Sequence, residues 1–110
     1  MLNETDLAHF TGAENFWRHP SGLVYTDGAR HVFQKGEAYW LLDSIAYVSL
    51  ILKEPFQVWT LVVSDGQGSL ACDDGNNNAL YASDLFFTDF PLAEIKFFLV
   101  DKTLMLPSEY

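Results

Sequence analysis

EAYWLLDSIAYVSLIL, residues Glu37 to Leu52, reads as one helix of about four turns. Ala38, Leu41, Leu42, Ile45, Val48 and Leu52 recur at the i, i+3, i+4, i+7 spacing of a buried face. The opposite side is hardly more polar, because Tyr39, Trp40, Ala46, Tyr47, Leu50 and Ile51 fill most of it. A helix that is apolar nearly all round needs cover on more than one side. In a chain this short the expected cover is a sheet on one face and loops or a partner on the other. Asp43 is the exception, one helical turn from both Trp40 and Tyr47. Buried and unpaired, its carboxylate would be costly to ionise and would tend to hold its proton. A rim position or a bond to a neighbouring donor is therefore expected. A catalytic or binding role is the sharper alternative.

Working outward, Leu23–Thr26 and Arg30–Phe33 flank Asp27-Gly28, which predicts a hairpin before the helix. Pro55 stops the helix, and a β-meander follows. Its strands are Phe56–Val63, Ser69–Asp73 and Ala79–Phe87, with turns at Ser64–Gly68 and Asp74–Asn78. Leu92–Glu94 reads as a single helical turn. Ile95–Val100 and Thr103–Leu106 then form a C-terminal hairpin through Asp101-Lys102. At the other end, Asn3 or Thr5 can cap a short helix over Glu4–His9, ended by Thr11-Gly12-Ala13. Glu14–Pro20 has no regular pattern. The fold class is thus α+β. One central helix packs on an antiparallel sheet made of an N-terminal hairpin, a three-stranded meander and a C-terminal hairpin. A short N-terminal helix precedes them, and residues 1–110 form a single domain.

With 49% hydrophobic and 15% aromatic residues the chain has ample material for a core. Fifteen acidic residues against six basic ones give a net charge of −9. That balance disfavours direct binding to nucleic-acid phosphates, which needs clustered Lys and Arg. A basic protein or a cationic ligand suits it better. Only Asp73 and Asp74 are adjacent acids, so no acidic face can be read from the sequence. The single cysteine, Cys72, allows no intrachain disulfide and is expected to be a buried strand residue. The N-terminus MLNETDLAHF lacks the apolar core of a signal peptide, and no run is long enough to span a bilayer. The cytoplasm is the expected compartment.

Few motifs carry chemistry. Asp73-Asp74-Gly75-Asn76-Asn77-Asn78 is rich in oxygen ligands, as Ca²⁺ sites are. An EF-hand register, however, places Leu70 and Cys72 at ligand positions and Tyr81 where the closing Glu belongs. Turn chemistry accounts for the composition, so no metal is expected, and no cofactor. His9, His19 and His31 have no ligand spacing. They would form a site with Asp43 or Asp27 only if the fold gathered them. Neither a nucleophile elbow nor a phosphate-cradling glycine loop is present. Trp17, Arg18 and His19 are candidate binding residues, since Trp and Arg are enriched at interface hot spots. For Trp17, core packing is the favoured reading. The pairs Phe86-Phe87 and Phe97-Phe98 put aromatics on both faces of their strands. With the all-round apolar helix, they suggest more apolar surface than one small domain buries.

Read in order, TGAENFWRHP, LVYTDGARHV, AYWLLDSIA, FQVWTL, CDDGNNN, FFTDFPLAEIK and LMLPSEY resemble a family of small bacterial proteins known only as a domain of unknown function. The resemblance runs from about Thr11 to Tyr110. It implies no activity and brings no catalytic residues. Members found on mobile elements make an inhibitor of host defence one expectation. The expected function is therefore a small acidic protein-interaction module, with no enzymatic activity. An inhibitor of a host defence protein such as a CRISPR effector is its specific form. Candidate binding residues are Trp17, Arg18, His19, Asp43, Asp73 and Asp74. The expected partner is a protein, specifically a basic nucleic-acid-handling one, with a homodimer as the other use of the apolar surface. The alternative is a small enzyme or ligand-binding protein around Asp43 and the histidines.

Overall fold

In the computed structural model, which describes residues 2–12 and 14–110, the central helix runs Tyr39–Leu52 (α3). Before it come α1 (Glu4–Leu7), β1 (Phe16–Arg18), β2 (Val24–Thr26) and α2 (Asp27–Lys35). After it come β3 (Phe56–Ser64), β4 (Gln67–Asp73), β5 (Ala79–Ala82), β6 (Phe86–Phe87), β7 (Glu94–Val100) and β8 (Thr103–Met105). A 3-10 turn at Pro107–Glu109 ends the ordered elements. Among the described residues the eight strands join one sheet in the order β1-β2-β8-β7-β3-β4-β5, with β6 also on β4. Every pairing is antiparallel except β2 with β8. The α+β class read from the sequence holds.

Strand alternation builds the core. Gln57, Trp59 and Leu61 of β3 face Leu99, Phe97 and Ile95 of β7 in register, and all six are buried. Leu70 and Cys72 extend this face on β4, and Leu104 extends it on β8. Leu41, Leu42, Ile45 and Ala46 of α3 and Val32 and Phe33 of α2 join the same cluster. Phe33 stacks on Phe97 at 5.2 Å. Gln57, polar and 1% exposed, is satisfied there. Its Oε1 accepts from the Trp59 indole at 2.9 Å, and its Nε2 donates to the Glu54 carbonyl. The other face of the sheet carries Phe56, Phe98 and Tyr110, whose ring centroids lie 5.4–5.9 Å apart.

The structure corrects the expected hairpin at Asp27-Gly28. Those residues begin α2, not a turn. Thr26 Oγ1 accepts from the Ala29 N–H at 3.2 Å as an N-cap, Asp27 lies in the first turn, and Lys35 lies in the last. Ala29, Val32 and Phe33, at helical spacing, are the buried side. The end of the chain completes the cap. The Glu109 carboxylate accepts from Thr26 Oγ1 at 2.7 Å, Gly28 N at 3.1 Å and Leu106 N at 2.9 Å. A Cβ on Gly28 would overlap that carboxylate, so this position needs glycine for closeness rather than for a turn. The N-terminal hairpin exists, but its strands are β1 and β2, and β1 comes from the stretch without a pattern.

Three smaller corrections follow. Leu92–Glu94 forms no helical turn, only a bend leading into β7. The expected strand Ala79–Phe87 is split into β5 and β6. Ser83 breaks it: its Oγ accepts from Leu70 N and its N–H donates to the Leu70 carbonyl. The first helix is shorter than expected, ending at Leu7, with Asn3 as its cap. The stop expected at Thr11-Gly12-Ala13 reaches Ala13, which lies outside the described residues. Among the described residues no helix is long and apolar enough to cross a membrane.

Candidate functional site

His19 and Asp43, 24 residues apart in sequence, meet at 2.7 Å between Nε2 and Oδ1. His19 leaves the end of β1, is 4% exposed, and sets its ring edge-on to Tyr47 at 5.3 Å. Asp43 stands on α3 with 61% of its side chain exposed. It is the rim carboxylate bonded to a donor that the sequence led us to expect. On the other side of the imidazole, Nδ1 lies 2.9 Å from Ser21 Oγ and accepts from the Ser21 N–H at 3.0 Å. The order Ser21–His19–Asp43 imitates a hydrolytic triad, but the backbone amide already occupies the Nδ1 lone pair. A nitrogen so engaged is a poor general base. The arrangement fixes the tautomer with hydrogen on Nε2 and ties the loop after β1 to α3.

His31 and His9 do not join this pair. His31 lies on α2 against Phe10, with ring centroids 5.0 Å apart. Its Nε2 is buried, 4.0 Å from Asp6 Oδ2, which is too far to hydrogen-bond. His9 is exposed in the turn after α1.

Trp17 contradicts the expectation of core packing. It lies on the edge strand β1 and is 37% exposed. Its indole donates to Asp27 Oδ1 at 3.2 Å, and the Arg30 guanidinium lies over the ring at 3.9 Å. Partial desolvation pushes the Asp27 carboxyl up. Hydrogen bonds from Trp17 and Asn15 more than offset it and hold the group below the ordinary aspartate value. Arg18, next along β1, is exposed.

Asp73 is the last residue of β4, and Asp74 opens the β4–β5 connection. Asp73 Oδ1 accepts from Gly75 N at 2.7 Å. Asp74 accepts from the backbone of Asn76 and Asn78 and from the Asn78 side chain. Those bonds, the Asn78 side chain first, hold the Asp74 carboxyl below its usual range. Gly75 and Asn77 supply the positive φ angles, 88° and 65°. The carboxylates are spent on the turn itself. Among the described residues no group of three His, Cys, Asp or Glu side chains could hold a metal ion. Cys72 is a buried strand residue, and burial, with Asp73 beside it, pushes its thiol up to about 12.

The most unusual surface is the outer side of α3. Trp40, Tyr47, Leu50 and Ile51 are 36%, 54%, 48% and 76% exposed. Their spacing aligns them along about 16 Å of helix. The sheet covers one side of this helix, and the second apolar side lies open. Phe86 of β6 meets Trp40 edge-on at 5.5 Å, and its neighbours Leu85 and Phe87 are 68% and 88% exposed. Acids border the strip: Glu37 and Glu54 just beyond the two helix ends, Asp43 within it, and Asp84 beside Leu85. Leu85 and Phe87 were not singled out as site residues, although the adjacent aromatics at 86 and 87 gave the signal.

Comparison with curated proteins and with solved structures returns no match. A family model matches the whole of residues 1–110, and the chain belongs to that family, DUF6876, a family of unknown function.

Proposed function

We propose that this chain is a protein-interaction module whose contact surface is the outer side of α3 with the Leu85–Phe87 segment, and whose partner is a basic protein. One observation carries the reading: a 14-residue helix in which Trp40, Tyr47, Leu50 and Ile51 face solvent on the side away from the core. Aromatic anchors in an apolar strip with a charged rim are the composition of binding hot spots. Charge selects the partner. A two-fold dimer through this strip would bring two chains of charge −9 together, with the same acids facing across the axis. A basic partner gains from that field. Inhibition of a nucleic-acid-handling defence protein, a CRISPR effector among them, is one form such binding takes.

The enzyme reading is weaker. Of the three histidines only His19 meets Asp43, and its free ring nitrogen is engaged by the backbone. The test is affinity capture from a bacterial lysate with the wild-type chain and with Tyr47→Glu/Ile51→Glu in parallel. The reading expects a basic protein in stoichiometric amount with the wild type, released at high salt, and its loss with the variant. Equal capture by both chains would refute it.

A further inference from the structure

We infer that the partner lays an amphipathic helix along the outer side of α3, with apolar residues at helical spacing and lysine or arginine on its flanks. The inference rests on the interaction reading above and names the part of the partner that this strip takes. Trp40, Ser44, Tyr47 and Ile51 stand at i, i+4, i+7 and i+11 of α3, in one straight row, with Asp43 and Leu50 along one flank. That row is as long as about three turns of a second helix. At its N-terminal end Phe86 braces Trp40 edge-on at 5.5 Å, and exposed Leu85 and Phe87 extend the apolar surface beside it.

Hydrogen bonding decides the form of the occupant. Along the middle of α3 the amides and carbonyls bond within the helix. Ser44 Oγ donates to the Trp40 carbonyl at 3.0 Å, and Asp43 Oδ1 already accepts from His19. An extended segment laid here would bury its own N–H and C=O groups against side chains that offer them few partners. A helix arrives with those groups already paired, and its side chains interdigitate with the row. The nearby β6 has an edge for an extended chain, but it is two residues long. Charge decides the flanks. Residues 37–54 hold Glu37, Asp43 and Glu54 against a single base, Lys53, and Asp84 adds a fourth acid beside Leu85. Glu37, Glu54 and Asp84 are exposed, and among the described residues none of the three forms a salt bridge. Cations beside the partner's apolar row meet these acids, whereas carboxylates there would be repelled.

The test uses three synthetic peptides as long as α3 and the full chain. The first is built of leucine and lysine with leucine at helical spacing, the second replaces its lysines with glutamate, and the third alternates leucine and lysine as a strand does. The first should bind in a saturable way, gain helical circular dichroism on mixing, and shift the amides of Trp40–Ile51 and Leu85–Phe87. The other two should bind at least about tenfold more weakly. Tyr47→Ser/Ile51→Ser leaves the net charge unchanged and should weaken the first peptide at least about tenfold. Equal binding of the glutamate or the alternating peptide would overturn the inference. So would unchanged affinity in the variant, or no saturable binding of the first peptide. If these arms fail while lysate capture still distinguishes the wild type from Tyr47→Glu/Ile51→Glu, the helical partner falls and the interaction module stands.

Discussion

Replacing Glu109 with alanine should destabilise the fold by about 2–4 kcal/mol. The residue lies in the short 3-10 turn Pro107–Glu109. Here its carboxylate accepts three hydrogen bonds, from Thr26 Oγ1, Leu106 N and Gly28 N, at 2.7, 2.9 and 3.1 Å. Thr26, Gly28 and Leu106 are buried, so the donors cannot all turn to solvent without local rearrangement. Glu109 itself is half-buried, so water enters when it is removed. That places each lost bond nearer to about 1 kcal/mol than to the 3 kcal/mol of a sealed charged pair. Losing the N-terminal support of α2 adds to the sum. The assay is urea unfolding followed by the fluorescence of buried Trp59, with Ser108→Ala as the control. Ser108 is exposed and its substitution should stay within about 0.5 kcal/mol of wild type. Glu109→Gln keeps one acceptor oxygen and should recover part of the loss. A Glu109→Ala loss below about 0.5 kcal/mol would refute the clasp between the C-terminus and α2.

Other outcomes follow from the same geometry. Cys72, buried and with its thiol raised to about 12, should resist alkylation in native protein at neutral pH and react fully in denaturant. Fast native labelling would contradict its burial. Asp27 has a folded pKa below its ordinary 3.8, so its stabilising effect is present above that value and fades as pH falls through the lower folded value. Asp27→Asn should therefore cost stability at pH 7, with the gap to wild type closing in the acid range. An unchanged gap at low pH would exclude the Trp17–Asp27 bond as the source.

α3 was legible because its apolar residues recur at helical spacing. β3 and β7 were legible from β-prone residues near turn signals; β7 alternates in burial, whereas β3 buries Gln57, Val58 and Trp59 in succession. Where the sequence misled, two local signals competed. Asp27-Gly28 is a strong hairpin pair, yet Thr26 can cap a helix, and Ala29, Val32 and Phe33 fit helical spacing as well as Arg30–Phe33 fits a strand. The carboxylate that helps settle the contest comes from Glu109, far away in sequence. β1 was unreadable because all three of its residues are exposed, so no alternation marks it. The sequence offers all three histidines with Asp43 or Asp27 as a cluster, and of these the fold brings together His19 and Asp43. The open side of α3 was foreshadowed by a helix with too little polar surface to face water.

The most direct test of that open side is size-exclusion light scattering of the purified chain, alone and mixed with the protein it captures, for wild type and for Tyr47→Glu/Ile51→Glu. Both substituted residues are more than half exposed, so the variant should keep its stability within about 0.5 kcal/mol. Loss of two anchors should weaken association by about 2 kcal/mol or more. The account expects a monomer alone, a stoichiometric complex with the wild type, and a variant that stays folded and unbound. A wild-type chain that is already a stable dimer, or a variant that binds as the wild type does, would contradict it.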